Sequence, residues 1–290
     1  MTIFMQQEKT AVVTGSSTGN GFETSLMLAR NGFYTYATMR NVDKSEGIVD
    51  VARKDGLPLE VLQLDVTDDK SVKDAIDTIF GKRGRIDVVV NNAGYDAFGA
   101  VEDLSVEEIK AQFETNFFGV IRVMKAVLPT MRKQRTGTIV NVSSAGGLVG
   151  IPLNSAYISS KFALEGFSES MQYELEEFGI KVILIEPGVV KTNFFENSKP
   201  PKNTTSSNSP YSELAKKVFE GFKPMLENNS SSPIHVAQVI LKAITSEKPH
   251  TRYLVGNDAA AIMDKKRSSS DIEFQEWIKE SLIQQSRDRG

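Results

Sequence analysis

Cysteine is missing altogether, which excludes disulfide bridges, thiolate nucleophiles and any cysteine-ligated metal. Histidine is almost missing. His235 and His250 are all there is, too little for a histidine-based zinc site, and no metal is expected. No stretch approaches the ~20 apolar residues that span a bilayer, and Met1 to Thr10 lacks the apolar run of a secretory leader. Charge of one sign is also lacking. With 34 basic and 37 acidic residues the net charge is −3, which gives no electrostatic attraction to nucleic acid or to an anionic membrane. A soluble, cytoplasmic protein with neither kind of partner is expected. Asn203-Thr204-Thr205 and Asn229-Ser230-Ser231 fit the glycosylation pattern, but without secretion such triplets are ordinary polar loop.

What is present suits one large α/β domain. The chain has 290 residues, 40 % hydrophobic and 24 % charged, enough to bury a substantial core. Ala11-Val12-Val13 is a short strand running into Thr14-Gly15-Ser16-Ser17-Thr18-Gly19-Asn20-Gly21. Phe22 to Arg30 reads as a helix stopped at Asn31-Gly32, and Phe33 to Thr38 as a second strand rich in aromatic and β-branched residues. Strand, glycine turn, helix and strand make a βαβ unit. Glycines at 15, 19 and 21 let backbone approach a pyrophosphate while the helix N-terminus faces its charge, although the Gly-x-x-x-Gly-x-Gly spacing departs from Gly-x-Gly-x-x-Gly.

The alternation continues. Strands are expected at 59–64, 85–90, 138–142, 181–185 and 252–255, with helices at about 69–80, 106–131, 155–178 and 233–245. Ser105 with Glu108 three residues on is a capping-box start for the long helix at 106. This order predicts a doubly wound parallel sheet of about seven strands, with helices on both faces and no second domain. Between 193 and 232 a polar stretch precedes an amphipathic helix at 211–222, the composition of a substrate lid. The tail, 258–290, is charged yet repeats Phe274, Trp277, Ile278 and Leu282 at helical spacing, a stripe that packs on the body or on another subunit.

Tyr157-Ile158-Ser159-Ser160-Lys161 carries the chemistry. Residues four apart share a helix face, so a phenol and an ammonium meet the same space, and the positive charge favours the phenolate. Such a tyrosine can exchange a proton near neutral pH. The pair alone also fits a solvated helix face.

Four motifs together resemble the short-chain dehydrogenase/reductase family over about Thr10 to Val255. They are Thr14-Gly15-x-x-x-Gly19-x-Gly21, Asn91-Asn92-Ala93-Gly94, Ser144 with Tyr157-x-x-x-Lys161, and Pro187-Gly188-x-Val190-x-Thr192. Ser144 precedes Tyr157 by thirteen residues, and Asn116 matches the family's helix asparagine. The resemblance implies a Rossmann-type fold and hydride transfer to or from a nicotinamide. In that scheme Tyr157 is the acid/base and Ser144 binds the same oxygen. Lys161 lowers the tyrosine pKa and holds the nicotinamide ribose, and Asn116 holds a water linking the lysine to solvent. Gly15, Ser17, Thr18, Gly19, Asn20 and Gly21 would hold the cofactor phosphates, Asp65 and Val66 the adenine, and Asn92, Ala93 and Gly94 the middle. Pro187, Gly188, Val190 and Thr192 would fix the carboxamide. Asp65 also fits a helix start, Asn91 a sheet brace, Asn116 a helix bend and Ser144 a turn serine.

Cofactor choice turns on the end of the second strand. Met39 stands where an acid would pair the ribose hydroxyls of NAD, and Arg40 follows with a guanidinium suited to a phosphate. NADP(H) is therefore expected over NAD(H), unless Arg40 is only a solvated strand-end charge. Tyr95, Phe98, Leu148, Val149, Ile151, Phe194 and Phe195 would make an apolar pocket for a small hydrophobic ketone, aldehyde or alcohol. The resemblance is to the branch of 17β-hydroxysteroid and retinol dehydrogenases, and a homodimer or homotetramer paired through the two long helices is expected. A non-redox epimerase or dehydratase and a dinucleotide-sensing binding protein are the alternatives on the same fold.

Overall fold

The computed structural model describes residues 8–192, 209–224 and 230–284. Among them, β1 (Thr10–Val13), β2 (Tyr34–Met39), β3 (Leu59–Gln63), β4 (Val88–Asn91), β5 (Gly137–Val142), β6 (Ile180–Pro187) and β7 (Arg252–Val255) form one sheet. The spatial order is β3-β2-β1-β4-β5-β6-β7, and every pairing is parallel. The expected doubly wound sheet is what forms.

Burial on both faces explains why the strands read as unbroken apolar runs. Alternate residues serve opposite layers. Ala11, Val13, Val88 and Val90 pack with Leu28 of α1 (Gly19–Arg30) and with Val236 and Ile240 of α8 (Pro233–Thr245). Val12 and Val89 point the other way, into Val72, Ile76, Val123, Met124 and Leu164. Those side chains come from α3 (Asp69–Arg83), α5 (Gly119–Gln134) and α6 (Ser155–Glu176). Winding reverses between β1 and β4, so the carboxyl ends of these two strands diverge into a crevice.

Three departures have physical causes. α2 (Glu46–Asp55), which follows a 3-10 turn at Val42–Ser45, was not expected. Its apolar stripe is sparse, and only Ile48 and Ala52 are buried. The helix expected at 106–131 is divided into α4 (Val106–Phe113) and α5 by a π-helical turn at Glu114–Phe118. Gly119 allows that crowding, since a Cβ there would stand 2.8 Å from Val66 Cγ2.

The tail is the third. α9 (Asn257–Ser268) and α10 (Asp271–Lys279) lead into a π-helical turn at Glu280–Gln284. Phe274, Ile278 and Leu282 pack with Val149 and Met263, so the stripe serves the body. α7 (Ser212–Pro224) crosses close by, its Gly221 against the Leu282 backbone. The rest of the expected lid, 193–208 and 225–229, lies outside the described residues. No helix among the described residues is long and apolar enough to cross a membrane.

Candidate active site

The glycine turn is fixed to β4 before it meets any ligand. Thr14 is 1 % exposed, and its hydroxyl accepts from the backbone N–H of both Asn92 and Ala93 at 3.0 Å. Asn92 answers with its amide, which donates to the carbonyls of Thr14 at 2.9 Å and Gly15 at 3.2 Å. This stitching leaves no room for side chains. Gly15 has φ 69°, and a Cβ there would lie 2.8 Å from Ala93 Cα; one at Gly21 would meet the Gly15 carbonyl oxygen at 2.4 Å. Ser16 is turned down to Val13, its hydroxyl donating at 2.9 Å.

These elements wall a cavity of about 960 Å³ at the crevice. Ser17, Thr18, Gly19 and Asn20 line it where α1 begins. Thr18 holds the N-cap position without using its side chain as a cap, and no acidic residue occupies the first turn. Asn20 Oδ1 is buried with no partner. An uncapped helix start behind a glycine cradle is an anion site, which fits a pyrophosphate. Across the cavity Thr192 stands opposite, its Cγ2 only 3.3 Å from where a Gly19 Cβ would be. Pro187, Gly188 and Val190 share that wall. The loop is pinned by a bridge between Val190 and Ser231, and by Asp258, whose carboxylate accepts from Val189 N–H at 2.6 Å.

Asp65, Val66, Met39 and Arg40 form another part of the cavity wall. Asp65 does not start a helix. Its carboxylate closes a turn, accepting from Thr67 N–H at 2.9 Å and Thr67 hydroxyl at 2.8 Å, while Asp68 caps α3. Met39 is 2 % exposed and packs with Leu26 and Ile48. Arg40 is exposed, and beside it stands Lys44, a second exposed base on the same wall. Lys44 lies in the unexpected 3-10 turn, so sequence reasoning missed it.

The part of the wall that holds Ser144, Tyr157 and Lys161 is built by the turn after β5 and by α6. Ser144 Oγ accepts from Gly146 N–H at 3.0 Å and lies next to the Tyr157 phenol, where its hydroxyl favours the phenolate. Gly94, Ser144, Tyr157 and Lys161 all line the cavity. Burial raises the Tyr157 phenol above its ordinary value, the Ser144 bond opposes the rise, and the nearby Asp96 carboxylate adds to it. Lys161 is 5 % exposed. Its ammonium donates to the Val142 carbonyl at 2.8 Å, and burial lowers it to about 8, against the pull of Glu165. With the ammonium turned to Val142 and itself destabilised, the expected lowering of Tyr157 is outweighed here by desolvation.

Asn116 and Gly21 do not line the cavity. Asn116 braces it from behind within the π turn. Its Oδ1 accepts from Tyr95 N–H at 3.1 Å, and its Nδ2 donates to the Tyr95 carbonyl at 3.0 Å and Ser160 Oγ at 3.3 Å. Asn91 is a sheet brace, donating to Asn141 Oδ1 at 2.8 Å.

Behind Lys161 lies a charge cluster with no sequence signal. Arg252 Nε stands 3.2 Å from both Glu165 and Glu186, whose carboxyls also hydrogen-bond each other. Burial and the neighbouring Glu165 raise Glu186 to about 7. The cavity is lined further by Phe222 of α7 and by Trp277, Ile278 and Leu282 of the tail. The apolar stripe was visible in sequence; its place over the cavity was not.

Residues 9–203 match the family model described as short chain dehydrogenase. The 3-ketodihydrosphingosine reductase of Bacteroides thetaiotaomicron is 35 % identical over 278 residues, covering 96 % of either chain. Retinol dehydrogenase 8 of Bos taurus is 39 % identical over 256 residues, covering 84 % of this chain and 80 % of its own. Among solved structures, a short-chain dehydrogenase from Streptomyces avermitilis superposes with a TM-score of 0.79 at 32 % identity, covering 94 % of this chain and 97 % of its own. An alcohol dehydrogenase from Thermococcus sibiricus complexed with 5-hydroxy-NADP gives 0.71 at 27 %, covering 86 % and 96 %.

Proposed function

The chain belongs to the short-chain dehydrogenases, oxidoreductases acting on CH–OH groups with an NAD(P) cofactor, and from that premise we propose an NADP(H)-dependent enzyme that interconverts a hydrophobic ketone or aldehyde and its alcohol. One observation carries the reading: Ser144 and Lys161 stand beside Tyr157, the ammonium 5.7 Å from its ring centroid, in the wall of a cavity that the glycine turn also lines.

Gly15, Ser17, Thr18, Gly19 and Asn20 would hold the pyrophosphate, with Gly21 packed behind them against Gly15; Asp65 and Val66 would hold the adenine, and Asn92, Ala93 and Gly94 the middle of the cofactor. Lys161 would hold the nicotinamide ribose, and Pro187, Gly188, Val190 and Thr192 the carboxamide. When bound, the cofactor supplies or accepts the hydride. In the reductive direction Tyr157 gives its phenol proton to the substrate oxygen as that oxygen gains charge, and burial keeps the phenol protonated and ready to donate. Ser144 donates to the same oxygen and stabilises the charge where it develops. The Lys161 ammonium, made more acidic by its burial, is the acid from which the Tyr157 phenolate recovers a proton, and solvent then reprotonates the lysine. Asn116 is a positioning residue that fixes the Tyr95 backbone at the cavity wall.

Arg40 and Lys44 support NADP(H). Both are bases at the adenosine end, where a 2′-phosphate would lie, and Met39 cannot accept from ribose hydroxyls. Apolar residues in the lining, Val149, Ile151, Phe222 and Trp277, support a hydrophobic substrate. The names of the relatives, one acting on a ketosphingoid and one on retinol, agree with that class. α7 and the segments flanking it are the proposed lid, with 258–290 as a helical tail of the same single domain.

A homo-oligomer is the assembly we infer. Phe118 at the π turn and Phe162 on α6 are both 45 % exposed, and Tyr173 is 73 % exposed, an unusual set for helices left in water. Consumption of NADPH with a panel of apolar ketones and aldehydes tests the function. Steady turnover is the expected result; none with any of them, despite tight NADPH binding, would point to a sensing protein.

A further inference from the structure

One polar pair in the cavity has no part in the chemistry above. Asp96 is 1 % exposed and Asn154 is 6 % exposed, and both line the cavity with Tyr157. Asn154 lies close enough to act on the Asp96 carboxyl, yet Asp96 Oδ1 and Asn154 Oδ1 are each buried without a partner. Two orphaned acceptors in one place are costly, because a desolvated acceptor has lost its water and gained nothing.

Local structure gives them no other duty. Asn154 occupies the N-cap of α6, where an asparagine ordinarily accepts from the first-turn amides, but its side chain makes no capping bond. It is delivered by Leu153, held in the left-handed region at φ 61°, a conformation unfavourable for a side-chain-bearing residue. Asp96 caps nothing either, and its charge reaches the Tyr157 phenol. Ile151, Val149, Phe222 and Trp277 give the same cavity apolar lining.

We propose that Asp96 and Asn154 form a subsite for a hydrogen-bond donor, a hydroxyl or an amino group, carried by the substrate one or two carbons from the reacting carbonyl. The preferred substrate is then an amphiphile, an apolar tail ending in a carbonyl flanked by a hydroxyl or amine. The donor satisfies the orphaned oxygens while the tail lies under Phe222 and Trp277. Burial raises the Asp96 carboxyl to about 7 against the pull of Asn154, so near neutral pH it accepts from a hydroxyl and ionises for an ammonium.

This subsite rests on the oxidoreductase reading, and the test separates the two. Three ketones sharing one alkyl tail, a methyl, a hydroxymethyl and an aminomethyl ketone, are compared by kcat/KM with NADPH. Turnover of the methyl ketone tests the oxidoreductase reading alone. At least one donor-bearing ketone is expected to exceed it by roughly ten- to a hundredfold, the worth of a hydrogen bond to a charged group. In Asp96→Leu that ratio is expected to fall below about three, the loss of a single such contact. Asp96→Asn separates the donors: it keeps a preference for the hydroxyl and loses one for the ammonium. A wild-type ratio near one, or a ratio that survives in Asp96→Leu, overturns the subsite. Should Asp96→Leu fail to fold, or none of the ketones turn over, Trp277 decides. It is the chain's single tryptophan and lines the cavity, so its fluorescence reports binding to the wild-type protein. A lower midpoint for a donor-bearing ketone supports the subsite, and equal midpoints overturn it.

Discussion

The Thr14 hydroxyl stands 3.0 Å from the backbone nitrogen of Asn92 and 3.0 Å from that of Ala93, and so joins the turn after β1 to the turn after β4. Neither turn could hold its shape alone, because each is short and rich in glycine. Thr14→Val keeps the volume but orphans two amides. A loss of about 2–6 kcal/mol is expected, each buried unpaired amide costing about 1–3 kcal/mol. NADPH affinity should fall with it. Denaturant unfolding and a cofactor titration check both, and an unchanged midpoint would mean that water replaces the hydroxyl.

Much of this was legible in the sequence because parallel strands buried on two faces write themselves as apolar runs, as Val88-Val89-Val90 does. The glycine turn and the Tyr157–Lys161 pair were legible for a related reason: each depends on local spacing along one element. What escaped depends on distant neighbours. Asp96 and Asn154 are 58 residues apart, and Arg252 meets Glu165 and Glu186 across separate elements. α2 was missed because its buried stripe is two residues wide, and the π turn at Asn116 because no residue type marks one.

Cofactor choice is tested at Arg40 and Lys44. Arg40→Ala is expected to reduce kcat/KM with NADPH roughly ten- to a hundredfold and to change NADH little, the loss of one charge-assisted contact. Lys44→Ala should act in the same direction. Met39→Asp would anchor NAD ribose, but Met39 is packed against Leu26 and Ile48, so a loss of stability should accompany any gain. Equal loss with both cofactors in Arg40→Ala would make it a solvated strand-end charge.

Stability should fall between about pH 4 and pH 7. Asp96 and Glu186 are both raised to about 7 by burial, from 3.8 and 4.5. Below the lower values folded and unfolded chains both hold the protons. As pH rises the unfolded chain releases them first, so unfolding is favoured by up to ~1.4 kcal/mol per pH unit per group until about 7, and the effect then levels off. Unfolding at pH 5 and pH 8 should give the lower stability at pH 8, with a smaller difference in Asp96→Asn. An equal difference in that variant would mean that Asp96 titrates normally.

The assembly prediction centres on Phe162. Phe162→Glu places a charge on a large exposed apolar residue of α6, and light scattering at micromolar concentration should show a smaller mass than wild type. A wild-type monomer would contradict pairing through these helices.

Tyr157 is where the account is most exposed. Tyr157→Phe removes only the phenol oxygen, so the fold and the NADPH affinity should stay as they are while the proton has nowhere to come from. Single-turnover oxidation of bound NADPH by a ketone substrate, followed by nicotinamide absorbance, is the decisive measurement. A fall in rate on the order of 10²-fold or more is expected. A variant that keeps most of the wild-type rate would remove Tyr157 from the reaction and contradict the proposed mechanism.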